Sequence, residues 1–499
     1  MHFRSWLDGG AYGSYGVAST FYTGALQTVT YKIPAYKFEG ARIFTNKPPC
    51  GPKRGHGTPQ PRFAMECQID KAAEQLGLDP ADMRRRNLAE PYTKTANHLT
   101  VTTIGLGECI DRVVEASGWR DKRGRLPRGK GIGIACSSYM TGAGTAIYWN
   151  DMPHSGVVVR ADRSGLVAVL CGATDIGQGS DSILAYLVAE VLGIEPKDIR
   201  VHPADTDLTP VDLGSYSSRV TLMAGNAAIQ AAGRLRERIF TAVAKKLEVE
   251  PARLTARDRR VFVEDDEDRG VSFPEAVALG ESMFGVLAFP GSYAPPKRAG
   301  KYKGGGVGPS PCYSYSACVV EVDVDPDTGQ VTPTEIWVAH DIGRALNPLL
   351  VEGQVEGSIY MGLGEVADGG AGVQKGRAQD PVAARVQEPD HARDAGDPHH
   401  PRRDRRPGRA LRRQGSGAGA APAHHPRGGH GGLRCRRRAD RRDPISPDKV
   451  VRALDLKRQG KAPRIGPTKL PLFTFPAPRA IESAFGEPAA DIAERPFSS

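Results

Sequence analysis

The sequence lacks any long apolar run. No stretch of its 499 residues approaches the roughly 18 to 20 apolar residues that cross a membrane, and its N-terminus lacks the apolar centre of a signal peptide. Hydrophobic residues make up 39% and charged residues 25% of the chain, which excludes collagen-like, coiled-coil and wholly disordered proteins. The sequence therefore predicts a cytoplasmic globular protein, long enough for two or three domains.

Cysteine is scarce and scattered. The eight cysteines form no CxxC pair, a spacing that favours neither a disulfide framework nor a zinc or iron–sulfur site. A GxSxG motif, a Walker loop and an HExxH motif are also missing from the sequence, so hydrolase, kinase and zinc-enzyme functions have no support. Any electron carrier that works with this chain is expected on another polypeptide.

The net charge of +10 comes almost entirely from one segment. Residues 367–444 contain 17 Arg and one Lys against eight Asp and one Glu, a net charge of +9, and they contain no Ile, Met, Phe, Tyr or Trp. The remainder of the chain carries only +1. One interpretation of the segment is a disordered basic linker that binds RNA.

A second interpretation of residues 367–444 is a double frameshift. A GC-rich gene that is read out of frame yields Arg, Ala, Gly, Pro and His with hardly any Lys or Ile. Back-translation of the segment and an advance of one base allow a reading with strand-like runs, a Gly-rich loop and a helix-like stretch that leads into Ile445. Because only this reading restores apolar periodicity, the basic composition is not taken as a signal of nucleic-acid binding.

Strand-like and helix-like patterns are mixed along the rest of the chain, which predicts an α/β or α+β fold. The predicted segments are the C-terminal part of a first domain over 1–120, a linker over 121–130, a second domain over 131–366, the basic segment over 367–444 and a tail over 445–499. Apolar periodicity and turn residues predict the following elements. Strands are expected within 26–44 and at 131–137, 156–161, 166–171, 318–324 and 331–339, and helices at 62–76, 80–86, 182–192 and 224–247.

Two loops that end at predicted helix starts are candidate ligand sites. Residues 172–180, Gly-Ala-Thr-Asp-Ile-Gly-Gln-Gly-Ser, join a strand to a helix, so backbone N–H groups and the positive end of the helix dipole would face an anion. Ser180 is predicted to cap that helix, and Gln178 offers a donor and an acceptor. Residues 212–221 carry several hydroxyl groups and Arg219, which suit a phosphate-bearing ligand. The alternatives are a structural turn and a Ser-rich capping loop.

Two further loops could also contact a ligand. Within residues 48–60, glycines beside Arg54 would let a ligand approach the backbone. Residues 340–364 contain His-Asp-Ile-Gly-Arg-Ala-Leu-Asn-Pro and then a helix with small residues at three- to four-residue spacing, from which Gln354 would face a ligand. The alternatives are a cis-proline turn with an exposed arginine and simple helix packing.

Taken together in their order along the chain, the four loops resemble the large, molybdopterin-binding subunit of the molybdenum hydroxylases, the xanthine dehydrogenase and aldehyde oxidase family. The resemblance covers nearly all of residues 8–366 and residues 445–456. Within the family, Asp8-Gly-Gly-Ala-Tyr-Gly, Arg54-Gly-His-Gly and Gly214-Ser-Tyr-Ser-Ser-Arg-Val-Thr are most similar to the alpha subunit of 4-hydroxybenzoyl-CoA reductases.

The resemblance implies a set of site residues and a cofactor. The residues that would bind the cofactor are Gly177, Gln178, Gly179, Ser180, Ser217, Ser218, Arg219 and Gln354. Arg54 would be the catalytic residue near the molybdenum, which the pterin dithiolene would hold without a protein ligand. The implied cofactor is a molybdenum–molybdopterin cytosine dinucleotide, and the implied partners are an iron–sulfur subunit and an FAD subunit.

The chain departs from the family pattern in two places. The family carries an earlier half with a Gly-Gly-Phe-Gly-Gly loop that is not found here, so Met1 is interpreted as an internal start. The glutamate that acts as general base in the hydroxylases would fall at Gly415, and glycine cannot accept a proton. The shifted reading restores a glutamate there, so the chain as written is expected to be inactive.

The intended product is therefore interpreted as a molybdenum-dependent oxidoreductase subunit that reduces 4-hydroxybenzoyl-CoA or a similar aromatic acyl-CoA. Within the same class, the alternative is an aldehyde or N-heterocycle dehydrogenase. An alternative of another class is an inactive remnant or a basic protein that binds nucleic acid, which salt-dependent binding to RNA would reveal.

Overall fold

The computed structural model describes residues 1–12, 16–142, 155–295, 305, 307–367, 373–374, 377–378 and 447–461. The strands in these residues are β1 (His2–Gly10), β2 (Lys37–Phe44), β3 (Thr93–Lys94), β4 (Thr100–Val101), β5 (Lys130–Thr141), β6 (Ser155–Ala161), β7 (Val167–Cys171), β8 (Ile199–Pro203), β9 (Leu254–Arg257), β10 (Arg260–Val263), β11 (Asp266–Ser272), β12 (Ala288–Tyr293), β13 (Cys312–Val324), β14 (Val331–Asp341), β15 (Val373–Gln374) and β16 (Arg377–Ala378). The α-helices are α1 (Gly16–Ala25), α2 (Pro59–Gln75), α3 (Pro80–Arg86), α4 (Leu106–Ala116), α5 (Trp119–Lys122), α6 (Ser180–Leu192), α7 (Val220–Leu247), α8 (Phe273–Phe284), α9 (Pro348–Ala367) and α10 (Pro447–Arg458).

Mixed sheets and helices confirm the predicted fold class. A four-stranded sheet has the order β12-β6-β7-β8, in which β6 and β7 form an antiparallel hairpin and β8 returns parallel to β7 after α6. Strands β14, β13 and β5 form an antiparallel sheet, β11, β10 and β9 form another, and β1 pairs with β2 in parallel. In the part of the chain that the structure describes, no helix is long and apolar enough to cross a membrane.

The first hydrophobic core joins the four-stranded sheet to α6, α7 and α8. Small side chains at helical spacing on α7 are buried in it, namely Ala224, Ala227, Ala228, Ala231 and Ala232. They let the helix approach β12 so closely that a β-carbon at Gly291 would lie 2.0 Å from the backbone oxygen of Ala227. Close packing of α7 on the sheet fixes the position of its first turn at Val220.

The second and third cores lie on opposite faces of the β14-β13-β5 sheet. The second core combines α1 and α4 with residues such as Ile134 of β5 and Tyr315 of β13, so it contains residues from both sides of the predicted linker 121–130. In the third core, Val450 and Leu454 of α10 pack on the other face. The predicted division into domains stays a prediction.

A buried charge cluster ties α2 to α3 and β5. Oε2 of Glu66 accepts hydrogen bonds from Nε of Arg84 and from the backbone N–H of Cys136, each at 2.8 Å, and Oε1 accepts one from Tyr31 at 2.7 Å. The side chains of Glu66 and Arg84 are 0% exposed. Burial raises the pKa of Tyr31 well above its ordinary value. The cluster replaces the lost hydration of both charged groups with hydrogen bonds.

Most predicted elements are present in the structure, and several are longer than predicted, but one prediction is wrong. Helix α3 begins after Asp79, whose side chain accepts a hydrogen bond from the N–H of Ala81 at 2.8 Å, as predicted. Within the predicted strands at 26–44, only β2 is a strand, whereas Leu26–Val29 is a turn of 3₁₀-helix. All four of its residues are buried, so the alternating pattern does not separate a core face from a solvent face there.

Candidate functional site

A cavity of about 790 Å³ lies where four loops meet, those before α2, α6, α7 and α9. Its wall contains eight of the residues predicted from the sequence, namely Arg54, Gly177, Gln178, Ser180, Ser217, Ser218, Arg219 and Gln354. Gly179 adjoins the wall, because a β-carbon there would lie 2.4 Å from Cδ1 of Leu350, which lines the cavity. Position Gly415 lies outside the described residues.

The described lining of the cavity is positively charged. Its cationic side chains are those of Lys53, Arg54, Arg219 and Arg344, and the described residues in the wall include no Asp or Glu. Lys53 and Arg219 form ion pairs with Glu365 and Asp212, which lie outside the wall, so the positive charge of the wall rests on Arg54 and Arg344. Three helices also begin at the cavity: α6, α7 and α9. The first N–H groups of a helix have no partner within it and carry the positive end of the helix dipole. The cavity is therefore suited to an anionic ligand.

Asp175, which was not predicted from the sequence, shapes the loop before α6. One of its carboxylate oxygens accepts hydrogen bonds from the backbone N–H of Gly177 at 2.8 Å and of Gly179 at 3.2 Å, and the other accepts one from the N–H of Asp181 at 3.3 Å. The prediction that this loop leaves its N–H groups free is wrong for these residues. An Asp two residues before a Gly is typical of an Asx turn, and this was the available signal.

Gln178 contacts its own loop. Its Oε1 accepts a hydrogen bond from the N–H of Ile176 at 2.6 Å, and its Nε2 donates to Oγ of Ser180 at 2.9 Å. The predicted cap is wrong by one residue, because Gly179 is the N-cap of α6 and Ser180 is its first helical residue. The carboxylate of Asp175 supplies the acceptor that was expected from Ser180.

The loop before α7 is closed at its two ends by a buried ion pair. Nη1 of Arg219 donates to Oδ1 of Asp212 at 2.6 Å. Between them, Ser217 and Ser218 adopt left-handed φ values of 53° and 50°. The hydroxyl of Tyr22 on α1 lies 3.3 Å from Oγ of Ser217. These contacts hold both serines at the wall of the cavity.

Arg54 and His56 come from the loop before α2. Nη1 of Arg54 lies 3.5 Å from Oγ of Ser358 on α9, and Nε2 of His56 lies 2.5 Å from Oγ of Ser19 on α1. Burial lowers the pKa of His56, so its imidazole is neutral at neutral pH. His56 lines the cavity and was missed from the sequence. The available signal for His56 in the sequence was the glycine on either side of it. One of them, Gly57, is required by close packing, because a β-carbon there would lie 2.5 Å from the backbone oxygen of Ser19.

Helix α9 brings Gln354 to the cavity. Oδ1 of Asn347 accepts a hydrogen bond from the N–H of Leu350 at 3.2 Å, and Pro348 is the first residue of the helix. This is the usual N-terminal cap with proline in the first turn. Leu350, Val351 and Gln354 line the cavity from one side of the helix.

Comparison with known proteins identifies the family. Residues 112–367 match a molybdopterin cofactor-binding domain, and residues 1–88 match a second domain of the same description. The first match alone spans half of the chain. The chain belongs to the xanthine dehydrogenase and aldehyde oxidase family. Members of this family are molybdenum-dependent oxidoreductases, so the family predicted from the sequence is confirmed.

The family's individual members show how far the similarity extends. The xanthine dehydrogenase molybdenum-binding subunit of Escherichia coli O157:H7 is 33% identical over 373 residues, which are 71% of this chain and 46% of that protein. Subunit gamma of the 6-hydroxypseudooxynicotine dehydrogenase complex of Paenarthrobacter nicotinovorans is 32% identical over 351 residues, which are 67% of this chain and 42% of that protein. The chain thus spans about half the length of the curated relatives it matches.

Solved structures share the fold of this chain. Quinoline 2-oxidoreductase from Pseudomonas putida 86 matches with a TM-score of 0.70 and 23% identity, over 91% of this chain and 59% of that chain. Particular closeness to 4-hydroxybenzoyl-CoA reductases, which was expected from the sequence, is not shown by these matches.

Proposed function

We propose that this chain binds the pterin cofactor of a molybdenum hydroxylase that acts on an N-heterocycle or an aldehyde. The observation that carries the proposal is the cationic cavity at which α6, α7 and α9 begin, inside the residues that match the family. The relatives reported above are named for xanthine and 6-hydroxypseudooxynicotine, and neither is named for an acyl-CoA. We therefore favour this substrate class over 4-hydroxybenzoyl-CoA.

The residues present fit a pterin that carries a nucleotide, and we propose the cytosine dinucleotide form. Helix N-termini and serine hydroxyls suit a pyrophosphate group, and they occur together here. Ser180 and the two serines of the loop before α7 would hold the nucleotide extension, Gly177 and Gly179 would let it approach the backbone of their loop, and Gln178 and Gln354 would hold the pterin. When bound, the cofactor supplies the redox chemistry, and these residues supply its binding and orientation.

Arg54 is proposed to lie beside the molybdenum. Its guanidinium reaches Ser358 on α9, and its loop is held to the same helix by the ion pair between Lys53 and Glu365. A cation in this place would orient an electron-rich substrate atom. Neutral His56, two residues further on, would offer the substrate a hydrogen-bond partner from the same wall.

Electrons are proposed to leave through an iron–sulfur subunit and an FAD subunit. The relative from Paenarthrobacter nicotinovorans is named as one subunit of a complex, which supports this arrangement. The general base is proposed to be missing from the chain as written, since Gly415 stands where the shifted reading has a glutamate. Resequencing the gene through codon 450 tests the shifted reading directly.

The cofactor itself is tested by the molybdenum and the CMP released on acid hydrolysis, measured per mole of purified full chain. Leu350→Glu would place a carboxylate in the wall of the cavity, whereas Leu349→Glu places the same charge on the neighbouring residue, whose side chain is 73% exposed and outside the wall. We expect about one molybdenum and one CMP in the unsubstituted chain and in Leu349→Glu, and their loss in Leu350→Glu. Absence of both from all three proteins would contradict the proposal, and molybdenum without CMP would contradict the cytosine form.

A further inference from the structure

We propose that Asp212 and Arg219 act as a positioning pair for the serine loop, defined here as residues 212–219. The pair holds this loop in the shape that receives an anionic group of the ligand. This inference rests on the proposed function, because the ligand is the pterin nucleotide. It replaces the direct contact between Arg219 and the ligand that the family resemblance implied.

Both terminal nitrogens of Arg219 and both carboxylate oxygens of Asp212 are engaged with each other, with the loop or with Ser155 of β6. The side chains of Arg219 and Asp212 are 1% and 0% exposed. Nη1 of Arg219 also donates to the backbone oxygen of Gly214 at 2.7 Å, and Nη2 donates to Oγ of Ser155 at 3.0 Å. Asp212 accepts a hydrogen bond from the N–H of Gly214 at 2.8 Å and another from the hydroxyl of Ser155. A guanidinium bound in this way acts through the loop rather than by reaching the ligand.

The loop needs such a closure because its backbone is strained. Ser217 and Ser218 have consecutive left-handed φ values, 53° and 50°, which residues other than glycine rarely adopt and which the surrounding structure must enforce. The next residue, Arg219, is the N-cap of α7. If the ion pair opened, the two serines would relax to ordinary φ values, and their hydroxyls would leave the first turn of α7.

The influence of the pair extends to the loop before α6. Oγ of Ser215 donates to the backbone oxygen of Thr174 at 2.5 Å and accepts from its N–H at 3.1 Å. A β-carbon at Gly172 would lie 3.0 Å from the backbone nitrogen of Asp212, so the two loops lie backbone against backbone. A shift of the serine loop would therefore displace the loop that carries Gly177 and Gln178.

The experiment measures two quantities for the full chain without cofactor. The dissociation constant of inorganic pyrophosphate is obtained by ³¹P NMR titration, and thermal stability by calorimetry. The variants are Asp212→Asn, Arg219→Met, the double variant and the milder Ser155→Ala, which keeps the experiment decisive if Arg219→Met does not fold. Arg84→Met is the matched control, because it breaks another fully buried Arg–carboxylate pair that lies outside the cavity wall.

A positioning pair predicts that Asp212→Asn and Arg219→Met each weaken pyrophosphate binding about tenfold or more, and that the double variant is no weaker than the weaker single variant. Ser155→Ala should weaken binding less, and Arg84→Met should lower thermal stability with pyrophosphate affinity within about twofold of the unsubstituted chain. Unchanged or tighter binding in Asp212→Asn would overturn the inference, since it would make Arg219 a direct contact. Equal weakening by Arg84→Met would also overturn it. If the unsubstituted chain does not bind pyrophosphate, the result contradicts the anion site of the proposed function and, with it, the role of the pair.

Discussion

At the scale of single residues, Gly179 is held by its backbone and by its neighbour. Its φ of 78° is left-handed, and a β-carbon would lie 2.4 Å from Leu350. Gly233, in the middle of α7, has nothing within 4 Å of that position. We expect Gly179→Ala to lower the free energy of unfolding by about 1–2 kcal/mol, because Leu350 can move but the backbone cannot.

The matched variant Gly233→Ala should leave stability unchanged or raise it by up to about 1 kcal/mol, because alanine is the better helix former. Urea unfolding of both variants measures the difference. Equal losses in the two variants would show that the conformation of Gly179 is not a constraint.

The second prediction at this scale concerns His56. Burial lowers the pKa of His56 in the folded chain from the ordinary value of 6.5. As the pH falls below about 6.5, the unfolded chain therefore binds protons that the folded chain does not, and stability is lost until the folded pKa is passed. His56→Gln keeps a polar partner for Ser19 but does not titrate. Its melting temperature should fall less between about pH 7 and pH 5 than that of the unsubstituted chain. Parallel curves for the two proteins would refute the assignment.

At the scale of elements, the buried pair of Arg84 and Glu66 fixes α3 against α2. Removal of one partner leaves a buried charge without compensation, so Arg84→Met should cost about 3–5 kcal/mol of unfolding free energy. The neighbouring Arg85 pairs with Asp111 in solvent, where the two side chains are 49% and 54% exposed. Arg85→Met should therefore cost less than about 1 kcal/mol. Chemical denaturation of both variants checks the contrast, and a cost for Arg84→Met as small as that for Arg85→Met would contradict it.

Elements with local signals could be predicted from the sequence. Helix α3 was predicted because Asp79 and Pro80 are a cap and a first-turn proline, and both act so in the structure. The turn at Leu26–Val29 was wrongly predicted as strand. In the structure the backbone stays helical at Ala25, and the side-chain Nε2 of Gln27 donates to the backbone oxygen of Thr23, four residues earlier. Apolar alternation contains no information about such a bond.

The candidate site was predicted as four loops, but not as one cavity with its internal contacts. Arg54 and Ser358 are 304 residues apart in sequence, and Tyr22 and Ser217 are 195 residues apart. Contacts over such distances depend on the packing of whole sheets and helices, which no local pattern encodes. The family resemblance supplied what the spacing could not.

At the scale of the whole molecule, the segment 367–444 should determine how readily the chain aggregates. We expect the chain as written to aggregate more readily and to melt at a lower temperature than a version with the shifted reading, because the basic segment cannot supply the apolar faces that the shifted reading contains. A version with the shifted reading should remain soluble and should unfold cooperatively. Size-exclusion chromatography and calorimetry of both versions test this, and equal monomer fractions and melting temperatures for the two versions would count against it.

The third hydrophobic core has a consequence for how the molecule tolerates that segment. Val366, at the end of α9, and Val450, in α10, belong to the same cluster on β13, and a β-carbon at Gly329 in the β13–β14 turn would lie 2.3 Å from the backbone oxygen of Pro447. The residues on both sides of the segment therefore pack on the same sheet. The entropic cost of closing a flexible loop rises slowly with its length, by only about 0.6 kcal/mol for each doubling. The stability of this sheet should therefore depend little on the length of the intervening segment.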